Sequence, residues 1–301
     1  MNVELRHVFN GHVGANYSLC NGLESHLFYS GSADRFVGSW DIKTGKLIGP
    51  LVRGSSSIYS LWLDDKNSTL YIGQRQGTVL IVDLKKEQDP RSIQAHNSDI
   101  FSVVLNEHGH IITGGGDGRV KIWNQEDFKL LYDLYISTKS VRCVHLPPNK
   151  DEFFIGGSDH SIRVFNAKDM TEKQTLTGHT NSVFTIQSIG TDRLVTSGRD
   201  AIFIVWRKKN DEWILDKKVA AHLYTVNHIT LSPNGRLLAS ASRDKTIKIW
   251  DAYTFELLKV IDNKKYPEGH SHSVNRLLWK RNNILISTGD DRKVISWNIT
   301  Y

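Results

Sequence analysis

At 301 residues, with 39% hydrophobic and 23% charged side chains, the chain has a globular composition; it is neither low-complexity nor a disulfide scaffold. No apolar run approaches the ~18–20 residues of a membrane-spanning helix, and no basic-then-apolar leader is expected at the N-terminus. A net charge of +6 permits an acidic or nucleic-acid partner without requiring one, and two cysteines without a motif, Cys20 and Cys143, suit a reduced cytoplasmic setting, with the nucleus as the alternative.

In chain order, Val3–Phe9 reads as a strand, and Gly11-His12 follows it. From there the chain repeats. Anchor positions fall at Trp40, Val82, Trp123, Phe165, Trp206, Trp250 and Trp297, at intervals of 41 to 47 residues. Six residues before each anchor stand Asp34, Gln76, Asp117, Asp159, Asp200, Asp244 and Asp291. A His opens five units, at His12, His96, His179, His222 and His270, each preceded by Gly or Ala. The sixth unit is the clearest. Three runs, Val226–Leu231, Leu237–Ser242 and Thr246–Trp250, are separated by the turns Ser232–Gly235 and Arg243–Lys245, so it reads as three strands with tight connections. Such a sheet cannot bury its two faces alone, and a fixed period near forty residues implies that neighbouring units cover one another.

Gly-His at Gly11-His12, Gly178-His179 and Gly269-His270, with Trp-Asp at Trp40-Asp41 and Trp250-Asp251, resembles the WD40 repeat family over essentially the whole chain. The resemblance implies an all-β fold: a seven-bladed β-propeller of four-stranded antiparallel blades, forming one domain over residues 1–301. It also implies that Val3–Phe9 completes the seventh blade, whose third strand ends the chain, and so covers an edge that would otherwise template aggregation.

Five units carry a His, a Ser or Thr, an Asp and a Trp in register, for example His222, Ser240, Asp244 and Trp250. Ser, His and Asp together suggest nucleophilic catalysis, but five copies in one chain indicate a repeated structural network instead. Units two and four lose the set nearly together: Gly54, Ile72, Gln76 and Val82 in one, Ser137, Ile155, Asp159 and Phe165 in the other. They are therefore expected to be the less regular blades. Gly114–Gly118 lacks the Gly-Lys-Ser/Thr of a phosphate loop. His108 with His110, and His270 with His272, lack further metal ligands around them. Pro147-Pro148 reads as a loop. No cofactor, metal or small-molecule substrate is expected.

Function is then expected on a surface. The resemblance places the His loops and Asp turns on one face, here the top, with the residue after the leading aliphatic of each innermost strand near the channel mouth. Those residues are Tyr17, Tyr59, Phe101, Arg142, Phe184, Asn227 and Asn275. Around the turns lie Arg35, Arg75, Arg199, Arg243, Lys245 and Arg292, with Lys139 in a neighbouring loop. Aromatics with Arg suit a protein or peptide partner, and the Arg favours an acidic or phosphorylated one. The expected activity is that of a non-enzymatic interaction scaffold within a larger complex; RNA or single-stranded DNA binding is the alternative. An insertion at Asn263–Glu268 is expected to mark the binding face, and the one near Lys208–Trp213 to lie on the opposite face.

Overall fold

The computed structural model describes residues 1–86, 88–148 and 150–300. Among them, 28 strands sort into seven four-stranded antiparallel sheets. In six blades the strands are consecutive in the chain, spanning Asn16–Arg53, Ile58–Gln94, Ile100–Tyr135, Val141–Leu176, Val183–Ala220 and Val226–Ile261. The seventh joins three strands between Val274 and Thr300 to the N-terminal strand Asn2–Phe9. Asn2 faces Thr300 and Phe9 faces Val294, so the ring is closed by strand pairing as the resemblance implied.

The apolar core lies between blades. One cluster joins Val104, Ile112 and Ile122 of the third blade to Val141, Val144, Phe153 and Ile155 of the fourth. Another joins Ala241 and Ile249 of the sixth blade to Val274, Leu285 and Trp297 of the seventh, and reaches Val3. Each sheet thus hides both faces against its neighbours, which is why period-2 alternation gives way to near-continuous burial in strands such as Leu237–Ser242.

At the turn between the second and third strands the chain must adopt a left-handed residue directly after the Asp position. Gly fills it only at Gly77 and Gly118; Arg35, His160, Ala201, Lys245 and Arg292 hold φ between 64° and 74°. The Asp side chain compensates: Asp34 Oδ1 accepts from the Phe36 N–H at 3.0 Å, and Asp244 Oδ1 accepts from the Thr246 N–H at 3.0 Å.

Blades two and four lack the His set yet keep four strands each, and each places another polar side chain near the lost positions. In blade two the fully buried Gln74 occupies the space that His would fill: a Cβ on Gly54 would lie 2.4 Å from Gln74 Oε1. In blade four Asp159 keeps a cationic partner, Arg163, at 2.7 Å.

Two insertions take packing roles in the ring. The extra residues of unit five lengthen a hairpin, Ile202–Lys209 paired with Glu212–Ala220, which turns through left-handed Asn210 and Asp211. Trp213 there is core, 4% exposed, edge-on to Phe154 at 5.5 Å, and its indole donates to Glu152 at 3.1 Å. The hairpin is a strut between blades four and five. The insertion at Asn263–Glu268 turns Tyr266 onto Trp297, with ring centroids 5.5 Å apart, so it packs against the closing blade.

Candidate functional site at the mouth of the central channel

The five repeated tetrads close as directed hydrogen-bond chains. Each His Nδ1 meets its Asp at 2.8 to 3.0 Å. Each Nε2 meets the Ser or Thr hydroxyl at 2.7 to 2.8 Å. Each indole N–H donates to that same hydroxyl at 2.7 to 3.3 Å. One tautomer serves every set: Nδ1–H donates to the carboxylate, and the hydroxyl donates to Nε2 while accepting from the indole. The connectivity matches a Ser-His-Asp triad, but Ser30, Thr113, Thr196, Ser240 and Ser287 are fully buried, and the indole sits on the oxygen that would attack. Burial pulls His96 and His222 below the ordinary imidazole range against the opposing pull of Asp117 and Asp244. Burial would raise Asp244, yet hydrogen bonds from His222 and Thr246 outweigh it and hold the carboxyl low. These sets hold the blades together.

The mouth is built by a different device. Every innermost strand carries a β-bulge early in its course, between Asn16 and Ser18 in blade one, Ile58 and Ser60 in blade two, and at the matching register in all seven. The residue left out of the ladder is in turn Tyr17, Tyr59, Phe101, Arg142, Phe184, Asn227 and Asn275. A bulge re-aims its extra side chain, and these seven, with Arg276, line one cavity of about 290 Å³. Tyr17 and Tyr59 meet edge-on at 5.1 Å, and Tyr59 and Phe101 stack at 5.7 Å. The Arg142 guanidinium lies between two rings, 3.8 Å from the Phe101 centroid and 4.6 Å from that of Phe184.

Beneath the mouth, the residue after the bulge ties neighbouring blades. Ser60 accepts from the Val103 N–H at 3.0 Å, Ser102 from Val144 at 3.1 Å, Thr185 from Ile229 at 3.1 Å, and His228 Nδ1 from Leu277 at 3.3 Å. Burial and the nearby Arg276 push His228 well below its usual range, so it is neutral. Asn227 and Asn275 also serve the frame: Asn227 donates to the Val274 carbonyl at 2.8 Å, Asn275 to Asp290 at 2.7 Å.

Of the ten residues singled out from the sequence, the cavity gathers Tyr17, Tyr59, Phe101, Arg142 and Phe184. Arg35, Arg75, Arg199, Arg243 and Arg292 are exposed on the turns and do not line it. Arg75 does act electrostatically on Tyr17 and Tyr59, where burial, with Asp290 and Asp99 respectively, pushes the phenol up. Three residues were missed. Arg276 lies one position past the bulge, where length rather than register carries the guanidinium inward. Asp99 and Asp290 stand in top-face loops and add acidic groups to a rim read as basic.

The WD40 model (WD domain, G-beta repeat) matches residues 88–124, 128–166, 170–207, 215–251 and 262–298, and the chain belongs to this family. A crystal structure of the WD40 beta propeller domain of Doa1 superposes with a TM-score of 0.85 over 99% of this chain and 97% of that one, at 20% identity, a likeness of fold. Protein tipD of Dictyostelium discoideum is 27% identical over 196 residues, 65% of this chain but 31% of tipD. Subunit I of eukaryotic translation initiation factor 3 from Sclerotinia sclerotiorum is 23% identical over 269 residues, 80% of each chain. Protein hir1 of Schizosaccharomyces pombe is 28% identical over 202 residues, and this chain spans only 22% of hir1.

Proposed function

We propose that the protein is a non-enzymatic interaction scaffold that holds a peptide or protein partner on its top face, as a subunit of a larger complex. The observation that carries this reading is the mouth: seven bulges turn four aromatic rings and one stacked Arg toward a single cavity and leave them partly exposed. Rigid rings offer large contact area at low entropic cost, and aromatics with Arg dominate binding hot spots. The buried hydrogen-bonded tetrads, with the indole on the attacking oxygen, speak against the most catalytic-looking residues as a catalytic set. Membership in the family agrees, as does the likeness to a named subunit of a translation initiation factor.

The test is affinity purification from native lysate with mass spectrometry, run with and without nuclease. A stoichiometric protein partner that survives nuclease and is lost with Phe101→Ala supports the scaffold. No stoichiometric partner, or a partner released by nuclease, overturns it. Asp99 and Asp290 beside the aromatic arc weigh against the nucleic-acid alternative, because carboxylates there repel a phosphate backbone.

A further inference from the structure

We infer that the central channel holds an anion-binding well, floored by Arg276 and walled by Arg142, that takes a single phosphoryl group. This rests on the top-face reading above and adds the chemistry that the channel selects. Arg276 projects from the innermost strand of blade seven. Among the described residues it alone lines both the mouth cavity of about 290 Å³ and the cavity of about 710 Å³ at the other end of the channel. It therefore stands across the channel with its charge available from the mouth.

Among the described residues no carboxylate neutralises that charge. The groups that act on Arg276 are the Cys143 and Cys20 thiols, and burial pushes both up to about 12, so they stay protonated. The neighbouring His228 is neutral. Burial lowers both Arg276 and Arg142, and among the described residues neither guanidinium has a carboxylate in ion-pair contact. Asp99 acts on Arg142 only from a distance. A half-buried cation without a counterion is costly to a fold, and the cost is offset when an anion arrives.

Geometry narrows the anion. Phe101 and Phe184 both pack against the Arg142 guanidinium, which leaves its N–H groups as the donors for a ligand. The Asn227 and Asn275 amides are already engaged in the frame. The donors that remain are the two guanidinia and the Tyr17 and Tyr59 hydroxyls. Two fixed positive charges match a dianion; a carboxylate would leave one unmet. Asp99 and Asp290 at the rim disfavour an anion that continues across the face, so the fitting ligand is one compact phosphoryl group with a neutral or basic remainder.

The experiment measures melting temperature against inorganic phosphate, with acetate and chloride at matched ionic strength. Phosphate should raise it well above either control, and Arg276→Met should weaken phosphate affinity about tenfold or more. Because Arg276→Met also removes an uncompensated charge, the free variant should melt at or above the wild-type temperature, an outcome that a purely structural Arg276 would reverse. Arg243→Gln, on an exposed turn, should keep the phosphate response. A wild-type protein indifferent to phosphate, or an Arg276→Met variant that responds like wild type, overturns the well.

Two further measurements separate the sources of the phosphoryl group. Phosphate released on denaturing protein purified without phosphate identifies a free ligand. An empty protein that binds O-phosphoserine in competition with inorganic phosphate identifies a phosphorylated partner. If Phe101→Ala loses the captured partner while Arg276→Met keeps it and phosphate has no effect, the scaffold stands and the well falls.

Discussion

The hydroxyl of Tyr266 donates to the carbonyl of Val3 at 2.9 Å, across nearly the whole length of the chain. The same ring packs on Trp297, and Lys259 reaches the Met1 carbonyl at 3.4 Å. The inserted loop before blade seven thus clamps the strand that closes the ring. Tyr266→Ala should lower unfolding stability by about 1–3 kcal/mol, since it removes both a hydrogen bond and aromatic packing. Removing residues 1–9 should cost more, because it strips the outer partner from Val294–Thr300 and exposes an edge. Denaturant unfolding and size-exclusion chromatography check both; a monomeric truncation as stable as the full chain would refute the closure.

Removing one member of a closed tetrad should destabilise without touching the mouth. His222→Ala leaves Asp244 and Ser240 without their buried partner, at a cost of about 1–3 kcal/mol. Partner binding by the surviving folded protein should be unchanged. Binding lost at undiminished stability would assign the tetrad to function instead of architecture.

Acid should weaken the fold in two stages. Burial holds His96, His222 and His228 below the ordinary 6.5, and takes His145 down to about 4. Each stays neutral in the native state where the unfolded chain binds a proton, so its contribution is intact above pH 6.5 and declines as pH falls below it. Asp34, Asp200, Asp244 and Asp291 are held below 3.8, so their contribution is present above that value and is lost as pH falls further. Urea midpoints measured from pH 7 to 3 should fall below about 6.5 and then more steeply below about 4. A flat profile between pH 7 and 5 would contradict the buried neutral His.

On the top face, Phe101→Ala or Phe184→Ala should weaken partner binding by about 2 kcal/mol or more. Arg243→Ala should act mainly on the association rate, and less at high salt, because exposed charges are screened. Trp213 cannot serve as a control from the opposite face because it is core; Tyr253, 59% exposed, can. Weaker binding in Tyr253→Ala but not in the Phe variants would place the partner on the other side of the ring.

The architecture was legible because its signals recur. Trp250, Ser240 and Asp244 mean little once, but in register five times they specify a module and its neighbours. The mouth residues were legible by the same register. The reason they converge was not, since a bulge leaves no single-residue signature at Tyr17 or Phe101. Substitutions that act through space were hidden too. Gln74 replaces a His two strands away from its own place in the alignment, and Trp213 looks like a loop residue until Phe154 and Glu152 are placed beside it. Arg276 was missed because periodicity assigns a side chain to a face and says nothing of its reach.

Ring closure also has a timetable. Asn2–Phe9 is made before its partner Val294–Thr300, which emerges nearly 300 residues later. At about 5–20 residues per second, the closing strand waits on the order of 15–60 seconds with its apolar face and backbone edge unpaired. Six blades can assemble from local hairpins during that interval; the seventh cannot. The nascent chain is therefore most exposed to mispairing and to chaperones at this closing strand, and the ring can close only once Val294–Thr300 has emerged.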